Sequence, residues 1–297
     1  MKFFIFSYNR GEYLENCVDS IEHCSPDSDI IIYDDDSTDT HTRTVLSKVA
    51  CQHTVMSSDK REGHKHGGLY INMQRAYESL SDNDLFCFLQ DDSQLVRKLT
   101  QYDVDFIDRR FRENLLLGFI SPAFVRGISR RKKGAGEFHF DDQQELFFLD
   151  NTTRSAGAYY SDILVSHVGR LREHDWSFLA GEPANQQQAM AKFDKMGYLR
   201  TPFAMWLPYG RAYRGKKRTF TLQLAEKWRR CGFYPFYYLT DEQVNSLQKS
   251  CPPAIPIAED YLENVNPQLD KPWIYNPLQG STWLKHLNNI ESFFSRK

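Results

Sequence analysis

The feature that most constrains the fold is a set of short, uninterrupted apolar runs, each followed directly by polar or acidic residues. The runs are Phe3–Phe6, Ile30–Tyr33 and Leu85–Leu89. A run of this length without polar alternation is typical of a strand that is covered on both faces, as in a parallel sheet. None of the runs approaches the roughly 20 apolar residues that a membrane-spanning helix needs. We therefore expect a covered parallel sheet and no transmembrane segment.

Segments with helical spacing separate these runs. Apolar residues recur at helical intervals from Tyr13 to Ile21, and Ser25-Pro26 follows this stretch. Further along, the pattern predicts a helix from about Thr40 to Val49, a strand near Thr54–Met56 and a helix through Leu69 and Leu80. Alternation of strand and helix predicts an α/β fold of the doubly wound type.

The pattern is less regular beyond Phe124. We predict a loop over the basic stretch Arg126–Lys133 and on to Gln144. The later predicted elements are a strand near Leu146–Leu149 and helices over about Asp162–Arg172, Pro183–Met196 and Ser281–Phe294. The chain after residue 207 is rich in Arg, Lys, Tyr and Pro, so we divide it into a main domain, 1–207, and an irregular C-terminal extension, 208–297.

Composition excludes several classes of protein. The chain has 37 Lys and Arg against 39 Asp and Glu, so its net charge of -2 gives no overall basic field for nucleic acid. A hydrophobic content of 41% excludes a disordered chain. The N-terminus has only four apolar residues before Ser7, too few for a signal peptide. With no Cys-x-x-Cys pair among six cysteines, we expect reduced thiols and a cytoplasmic protein.

Two clusters of carboxylates follow predicted strands. They are Asp34-Asp35-Asp36 and Asp91-Asp92. Ligands of open α/β sheets bind beyond the carboxyl ends of the strands, so both clusters are expected in one crevice. Paired carboxylates there suit Mg²⁺ or Mn²⁺ and the phosphates of a ligand. The alternative for the first cluster is a solvated turn in which Asp36 or Ser37 caps the next helix.

Four segments, in order, carry a resemblance to a known family. They are Phe6–Leu14, Ile31–Asp39, Gly67–Glu78 and Phe88–Asp92. They resemble the opening, the second-strand signature, the segment before the metal motif and the D-x-D-type metal motif of family 2 glycosyltransferases. The departure is Asp36, where that family usually has glycine. The resemblance covers about the first third of the chain and implies a GT-A-like, Rossmann-type nucleotide-binding sheet.

The resemblance also implies roles for single residues. Asp35 would accept a hydrogen bond from the uracil ring of the donor, Asp91 would face the nucleotide sugar, and Asp92 would bind the metal ion. Further donor-binding candidates are Ser7, Asn9 and Arg10 after the first strand and Arg61 in the loop before Gly67. For Arg61 the alternative is an ordinary surface arginine.

An inverting transfer needs a general base beside the acceptor hydroxyl. The family takes it from a Gly-Glu-Asp-like motif, which Gly181-Glu182-Pro183 resembles except that proline replaces the usual aspartate. Glu182 is therefore the first candidate for the base, and Asp175 is the second. The alternative for Glu182 is a charge that only favours a helix N-terminus.

The basic segments Arg126–Lys133 and Arg211–Arg218 are either solvated loops or contacts for phosphate or an anionic acceptor. Taken together, the sequence predicts a metal-dependent inverting glycosyltransferase that moves a sugar from a UDP-sugar to a glycan or glycolipid hydroxyl. In that scheme residues 208–297 bind the acceptor or form a lid. Two alternatives remain open: an acceptor that is a hydroxylated base in DNA, and a non-catalytic module that only binds nucleotide or glycan.

Overall fold

The computed structural model describes residues 1–57, 68–127, 138–150, 157–209, 219–250 and 253–294. Its strands are β1 (Lys2–Ser7), β2 (Asp29–Asp34), β3 (Thr54–Ser57), β4 (Leu85–Gln90), β5 (Ser93–Leu95), β6 (Ile120–Ser121), β7 (Phe138–Asp141), β8 (Leu146–Leu149), β9 (Leu164–His167), β10 (Gly197–Leu199) and β11 (Ala204–Trp206). Its helices are α1 (Gly11–Cys24), α2 (Thr40–Val49), α3 (Leu69–Glu78), α4 (Gln101–Glu113), α5 (Val168–Glu173), α6 (Glu182–Lys192), α7 (Phe220–Trp228), α8 (Asp241–Lys249), α9 (Ala258–Tyr261) and α10 (Thr282–Phe294).

Nine strands form one sheet in the order β3-β2-β1-β4-β9-β6-β10-β8-β7. The first four are parallel, with Phe3 paired to Ile30 on one side and to Cys87 on the other. This half confirms the α/β fold that the apolar runs predict. The other half is mixed, because β9 runs antiparallel to both β4 and β6.

Alternate residues of β1 enter two different cores. Phe3 and Ile5 pack with α1, α2 and α4 on one face, whereas Phe4 and Phe6 pack with α3, α5 and α6 on the other. All four side chains are at most 3% exposed. Because both faces of the strand are covered, its sequence is apolar at every position and not at alternate ones.

Three predictions in the second half need correction. The helix predicted over Asp162–Arg172 is strand β9 followed by α5, because the apolar run that begins at Ile163 is buried between β4 and β6. Strand β7 lies inside the segment predicted as loop, where it pairs with β8. The helix predicted to reach Met196 ends at Lys192, and β10 begins at Gly197.

The C-terminal extension is more regular than predicted, since it contains α7 to α10. Its buried side chains join a third apolar cluster that also includes Tyr13, Val96 and Phe124. Within the described residues, no helix combines the length and the apolar content needed to cross a bilayer.

Candidate active site

The loops after β1 and β2 are joined by Asn9, whose backbone has a φ of 50° in the left-handed region that asparagine tolerates. Its backbone N–H donates to Ser37 Oγ at 2.9 Å. Its side-chain Oδ1 accepts from the backbone N–H groups of Thr38 at 2.7 Å and Asp39 at 2.9 Å. One side chain thus holds both loops in a fixed relation at the carboxyl edge of the sheet.

The three consecutive aspartates after β2 have different surroundings. Asp34 is buried and accepts from the backbone N–H of Ser37 at 2.8 Å and from its hydroxyl at 2.5 Å. Burial raises the pKa of Asp34, although the hydrogen bonds from Ser37 oppose this. Asp35 accepts from the backbone N–H of Gly68 at 2.7 Å, just before α3, whereas Asp36 is exposed with a φ of 58°. Asp35 therefore lies at the sheet edge, as its predicted role requires.

Arg10 bridges the two aspartates after β4. Its guanidinium donates to Asp92 Oδ2 at 2.8 Å and, through its other terminal nitrogen, to Asp91 Oδ1. Asp91 is fully buried, and its second oxygen accepts from the backbone N–H of Tyr8 at 3.1 Å. Burial lowers the pKa of Arg10, but the two carboxylates outweigh burial and raise it overall. The structure thus places three predicted donor-site residues in one ion-paired cluster.

Buried oxygen atoms at this cluster are suited to bind a hard cation. Asp92 Oδ1 is buried and accepts no hydrogen bond from any described residue, and the same holds for the hydroxyls of Ser7 and Ser93. A buried carboxylate oxygen without a donor is costly unless a cation or a ligand meets it. In the described ranges, no group of three His, Cys, Asp or Glu side chains could hold a metal ion. Asp92 would therefore be the protein's ligand, and further oxygens would come from water or the donor.

A second cluster surrounds Glu182, the first residue of α6. The preceding Gly181 has a φ of 110°, a conformation that glycine adopts without strain. The hydroxyl of Tyr70, from α3, accepts a hydrogen bond from the backbone N–H of Glu182. The same hydroxyl lies 3.0 and 3.2 Å from the two oxygens of Asp162 and donates to this carboxylate. Tyr160 also hydrogen-bonds to Asp162 through its side chain.

The environment of Glu182 changes its titration. Burial and the nearby charge of Asp162 raise its pKa from 4.5 to about 7, and Arg126 opposes them. Tyr198 lies in the same electrostatic environment, and burial raises its pKa also. A carboxyl group that titrates near neutral pH is suited to accept a proton from a hydroxyl.

Arg126 connects this second cluster to the C-terminal extension. Its guanidinium lies 5.4 Å from the ring centre of Trp206 and 5.2 Å from that of Tyr275. Cations over aromatic rings are held by the negative face of the π system. The positive charge that acts on Glu182 is therefore positioned by residues from both parts of the chain.

The remaining predicted residues are placed as follows. Asp175, the second candidate for the base, is exposed just after α5, and its carboxylate makes no hydrogen bond or ion pair with any described residue. Arg61, the segment 211–218 and most of the basic stretch after Arg126 lie outside the described residues. Glu182 is thus half-buried within the second cluster, whereas Asp175 is exposed.

Three residues of the second cluster were absent from the predicted site: Asp162, Tyr70 and Tyr160. Tyr70 and Asp162 are 92 positions apart in the chain, so spacing gives no sign of their contact. The one available signal was an acidic residue directly before the apolar run at Ile163, which helical periodicity had assigned to a helix.

Comparisons with known proteins find a similarity to one family in the first part of the chain. The model of Glycosyl transferase family 2 matches residues 3–132. A search of curated proteins gave no match.

Among solved structures, S. aureus TarS in complex with UDP is 17% identical, with a TM-score of 0.48 over 69% of this chain and 60% of that chain. LgtC in complex with donor and acceptor sugar analogs is 15% identical, with a TM-score of 0.39 over 67% and 72%. The mannosyltransferase PcManGT from Pyrobaculum calidifontis, in complex with GDP-Man and Mn²⁺, is 13% identical, with a TM-score of 0.45 over 87% and 67%. The chain thus spans about 60% of the length of the TarS structure it resembles.

Proposed function

We propose that this chain is a glycosyltransferase that uses a UDP-sugar donor and inverts the anomeric carbon. The match of residues 3–132 to the model of Glycosyl transferase family 2 supports the proposal. The acceptor in this proposal is a hydroxyl of a glycan or glycolipid. The observation that carries it is the sheet edge at which Asp35 follows β2 and the buried, unpartnered Asp92 Oδ1 follows β4, the two strands that flank β1 in the parallel half. That edge presents a ring-recognising carboxylate and a cation-binding oxygen to one nucleotide.

On the donor side, each residue has a chemical role in this proposal. Asp35 accepts a hydrogen bond from the uracil N–H, which a carboxylate recognises and a hydrogen-bond donor would reject. Arg10 keeps Asp91 and Asp92 in place as a fixed pair of carboxylates. A Mn²⁺ or Mg²⁺ ion bound at Asp92 supplies positive charge that offsets the charge on the departing diphosphate.

On the acceptor side, Glu182 is the general base. Its carboxylate takes the proton of the acceptor hydroxyl, whose oxygen forms the new bond to the anomeric carbon on the face opposite the departing UDP. Asp162 raises the proton affinity of Glu182, and the hydroxyl of Tyr70 hydrogen-bonds both to Asp162 and to the backbone of Glu182. Asp162 and Tyr70 are positioning residues in this scheme.

The first test is calorimetric binding of UDP with and without Mn²⁺. We expect metal-dependent binding that weakens at least about tenfold in Asp35→Ala and in Asp92→Ala, because a charge-assisted hydrogen bond or a metal ligand is lost. Asp36→Ala is the matched control, since this exposed aspartate of the same tract should bind UDP as the native chain does. Absence of UDP binding in every condition would reject the UDP-sugar donor.

The second test separates catalysis from mere binding. With a panel of hydroxylated acceptors and UDP-sugars, Glu182→Gln should lose transfer by a factor of about 100 or more while it still binds UDP. Binding without transfer in the native chain would favour the non-catalytic module instead. Transfer to hydroxylated bases in DNA, with strong dependence on salt, would favour the DNA acceptor.

A further inference from the structure

Exposed apolar side chains are concentrated on two helices of the C-terminal extension. Seven of the sixteen exposed large hydrophobic residues in the described part of the chain lie on α7 and α10, which together have only 22 residues. The seven are Phe220, Leu224, Trp228, Trp283, Leu287, Ile290 and Phe293. A concentration of this kind marks an interaction surface, because single exposed apolar residues are otherwise scattered.

On each helix these residues share one side. Phe220, Leu224 and Trp228 are four residues apart on α7, and Trp228 is 71% exposed. Trp283 and Leu287 are four apart on α10, and Ile290 follows three residues later. Side chains at these intervals lie above one another along a helix. We call these two rows the apolar stripes.

Polar contacts join the two helices. The hydroxyl of Thr219, the N-cap of α7, donates to Asn288 Oδ1 at 2.6 Å. The carboxylate of Glu291 accepts from the backbone N–H of Phe220 and, at 2.9 Å, from that of Thr221. The helix pair is thus held by hydrogen bonds at residues 288 and 291, while the stripes remain exposed to solvent.

The exposed charges of the two helices are positive. Lys227 on α7 and Lys285 on α10 are exposed, and Arg230 is exposed two residues after the end of α7. Of the two acids on these helices, Glu226 is buried and Glu291 accepts hydrogen bonds from the start of α7. The exposed charges carried by these two helices and by Arg230 are therefore positive, and a complementary surface is anionic.

We propose that the apolar stripes of α7 and α10 dock the protein on an anionic lipid bilayer, lying in its interface. A helix with Trp, Phe and Leu on one face and with exposed lysine has the composition that favours the headgroup boundary. A second copy is a poorer fit, because a two-fold contact between these helices would bring their positive charges together. A nucleic acid is a poorer fit as well, because Leu224, Leu287 and Ile290 offer no ring on which a base could stack.

The docking proposal does not depend on the proposed transfer reaction. Docking involves α7 and α10, whereas the donor and base residues lie on β1, β2, β4 and α6 or directly follow them. Binding to vesicles can be measured without nucleotide, metal or acceptor, so its failure would leave the proposed function untouched.

The test is flotation of the native chain with vesicles of phosphatidylcholine alone and of phosphatidylcholine mixed with about one quarter phosphatidylglycerol. We expect flotation with the anionic vesicles, reduced by salt, together with a blue shift of tryptophan fluorescence. Trp228 and Trp283 would report this shift, because Trp176 and Trp273 are already buried, at 4% and 1% exposure, and Trp206 is half-buried.

The decisive variant is Trp228→Ser with Trp283→Ser, and its matched control is Leu115→Ser with Leu116→Ser, at exposed positions near the end of α4. The stripe variant should bind anionic vesicles at least about tenfold more weakly, the control should bind as the native chain does, and both should keep the native circular dichroism. Failure of the native chain to float, or equal binding by both variants, would overturn the proposal. A lipid-free dimer, or binding to single-stranded DNA, that only the stripe variant loses would also overturn it.

Discussion

At the scale of single residues, the charge state of Glu182 depends on its burial and on one nearby carboxylate. Burial and Asp162 raise its pKa to about 7, and Asp162 itself is held by the hydroxyl of Tyr70. A base must be deprotonated to accept a proton, so kcat/KM should fall as the pH drops below about 7. Asp162→Asn removes the repulsion and should move this fall to lower pH. The pH profile of kcat/KM measures the change, and Asp175→Asn, at an exposed site, should leave the profile in place.

Glu182 should also make the native state less stable at high pH. Its folded pKa lies above the unfolded value of 4.5, so the folded state binds the proton more tightly. This contribution is fully present below pH 4.5 and is lost as the pH rises through about 7. Glu182→Gln should therefore stabilise the protein at pH 8, by about 2 kcal/mol, and by less at pH 5. Urea unfolding at the two pH values tests this, and an equal effect at both would contradict it.

Arg10 is the cation that accompanies the buried charge of Asp91. Arg10→Gln leaves that carboxylate without its ion pair and should destabilise the fold by about 3–5 kcal/mol. Combining Arg10→Gln with Asp91→Asn removes the unpaired buried charge and should restore part of the lost stability. Lys48→Gln breaks a surface pair with Glu15 and serves as the control, with an expected change below about 1 kcal/mol. Chemical denaturation measures all three variants.

At the scale of elements, the start of α1 lies unusually close to α2. A Cβ added at Gly11 would lie 2.8 Å from the backbone N and Cα of Thr42, and the Gly11 N–H donates to the Thr42 hydroxyl at 2.8 Å. Gly11→Ala should therefore cost about 1–3 kcal/mol, because two backbones must move apart. Thermal unfolding checks this, with Glu12→Ala at the next, exposed position as the control. A neutral Gly11→Ala would show that the helices can separate freely.

The strands and helices could be predicted where the local apolar pattern was strong. The runs at Phe3, Ile30 and Leu85 predicted β1, β2 and β4, because strands covered on both faces are apolar throughout. The run at Ile163 was assigned wrongly to a helix, since a short apolar segment fits either period until its partners β4 and β6 are known.

The site divides in the same way. Asp35, Asp91 and Asp92 directly follow strands, so the parallel-sheet rule placed them at one edge. Tyr70 contacts Glu182, and Asp162 and Arg126 act on its charge, only because tertiary packing brings them near it. The local sequence pattern does not predict this arrangement. The sequence pattern also does not predict which side chain of the Asp34–Asp36 tract is buried, because this depends on the backbone conformation of the turn.

At the scale of the whole molecule, residues 208–297 are fastened to the main domain by buried contacts. The side chain of Gln94 accepts from the backbone N–H of Phe236 and donates to its carbonyl, both at 2.9 Å. Trp273, at 1% exposure, lies in the same apolar cluster as Tyr13 and Phe124. The predicted division at residue 208 thus crosses a shared core.

We therefore expect the chain to unfold in a single transition. Trp273→Ala should destabilise it by about 3–5 kcal/mol, because a large cavity opens within the shared cluster. Circular dichroism and tryptophan fluorescence should report the same midpoint, with Trp283→Ala at an exposed position as the control. Two separate transitions would show that the extension folds independently of the main domain.

The hydrogen bonds of Asn9 have a thermodynamic consequence for ligand capture. Because its amide holds the loops after β1 and β2 together in the free protein, their conformational entropy is lost when the chain folds and not when a nucleotide arrives. Because these two loops are already ordered, less of the free energy of the contacts with a nucleotide is lost to ordering the protein, and binding is tighter. Association then resembles the docking of two rigid bodies.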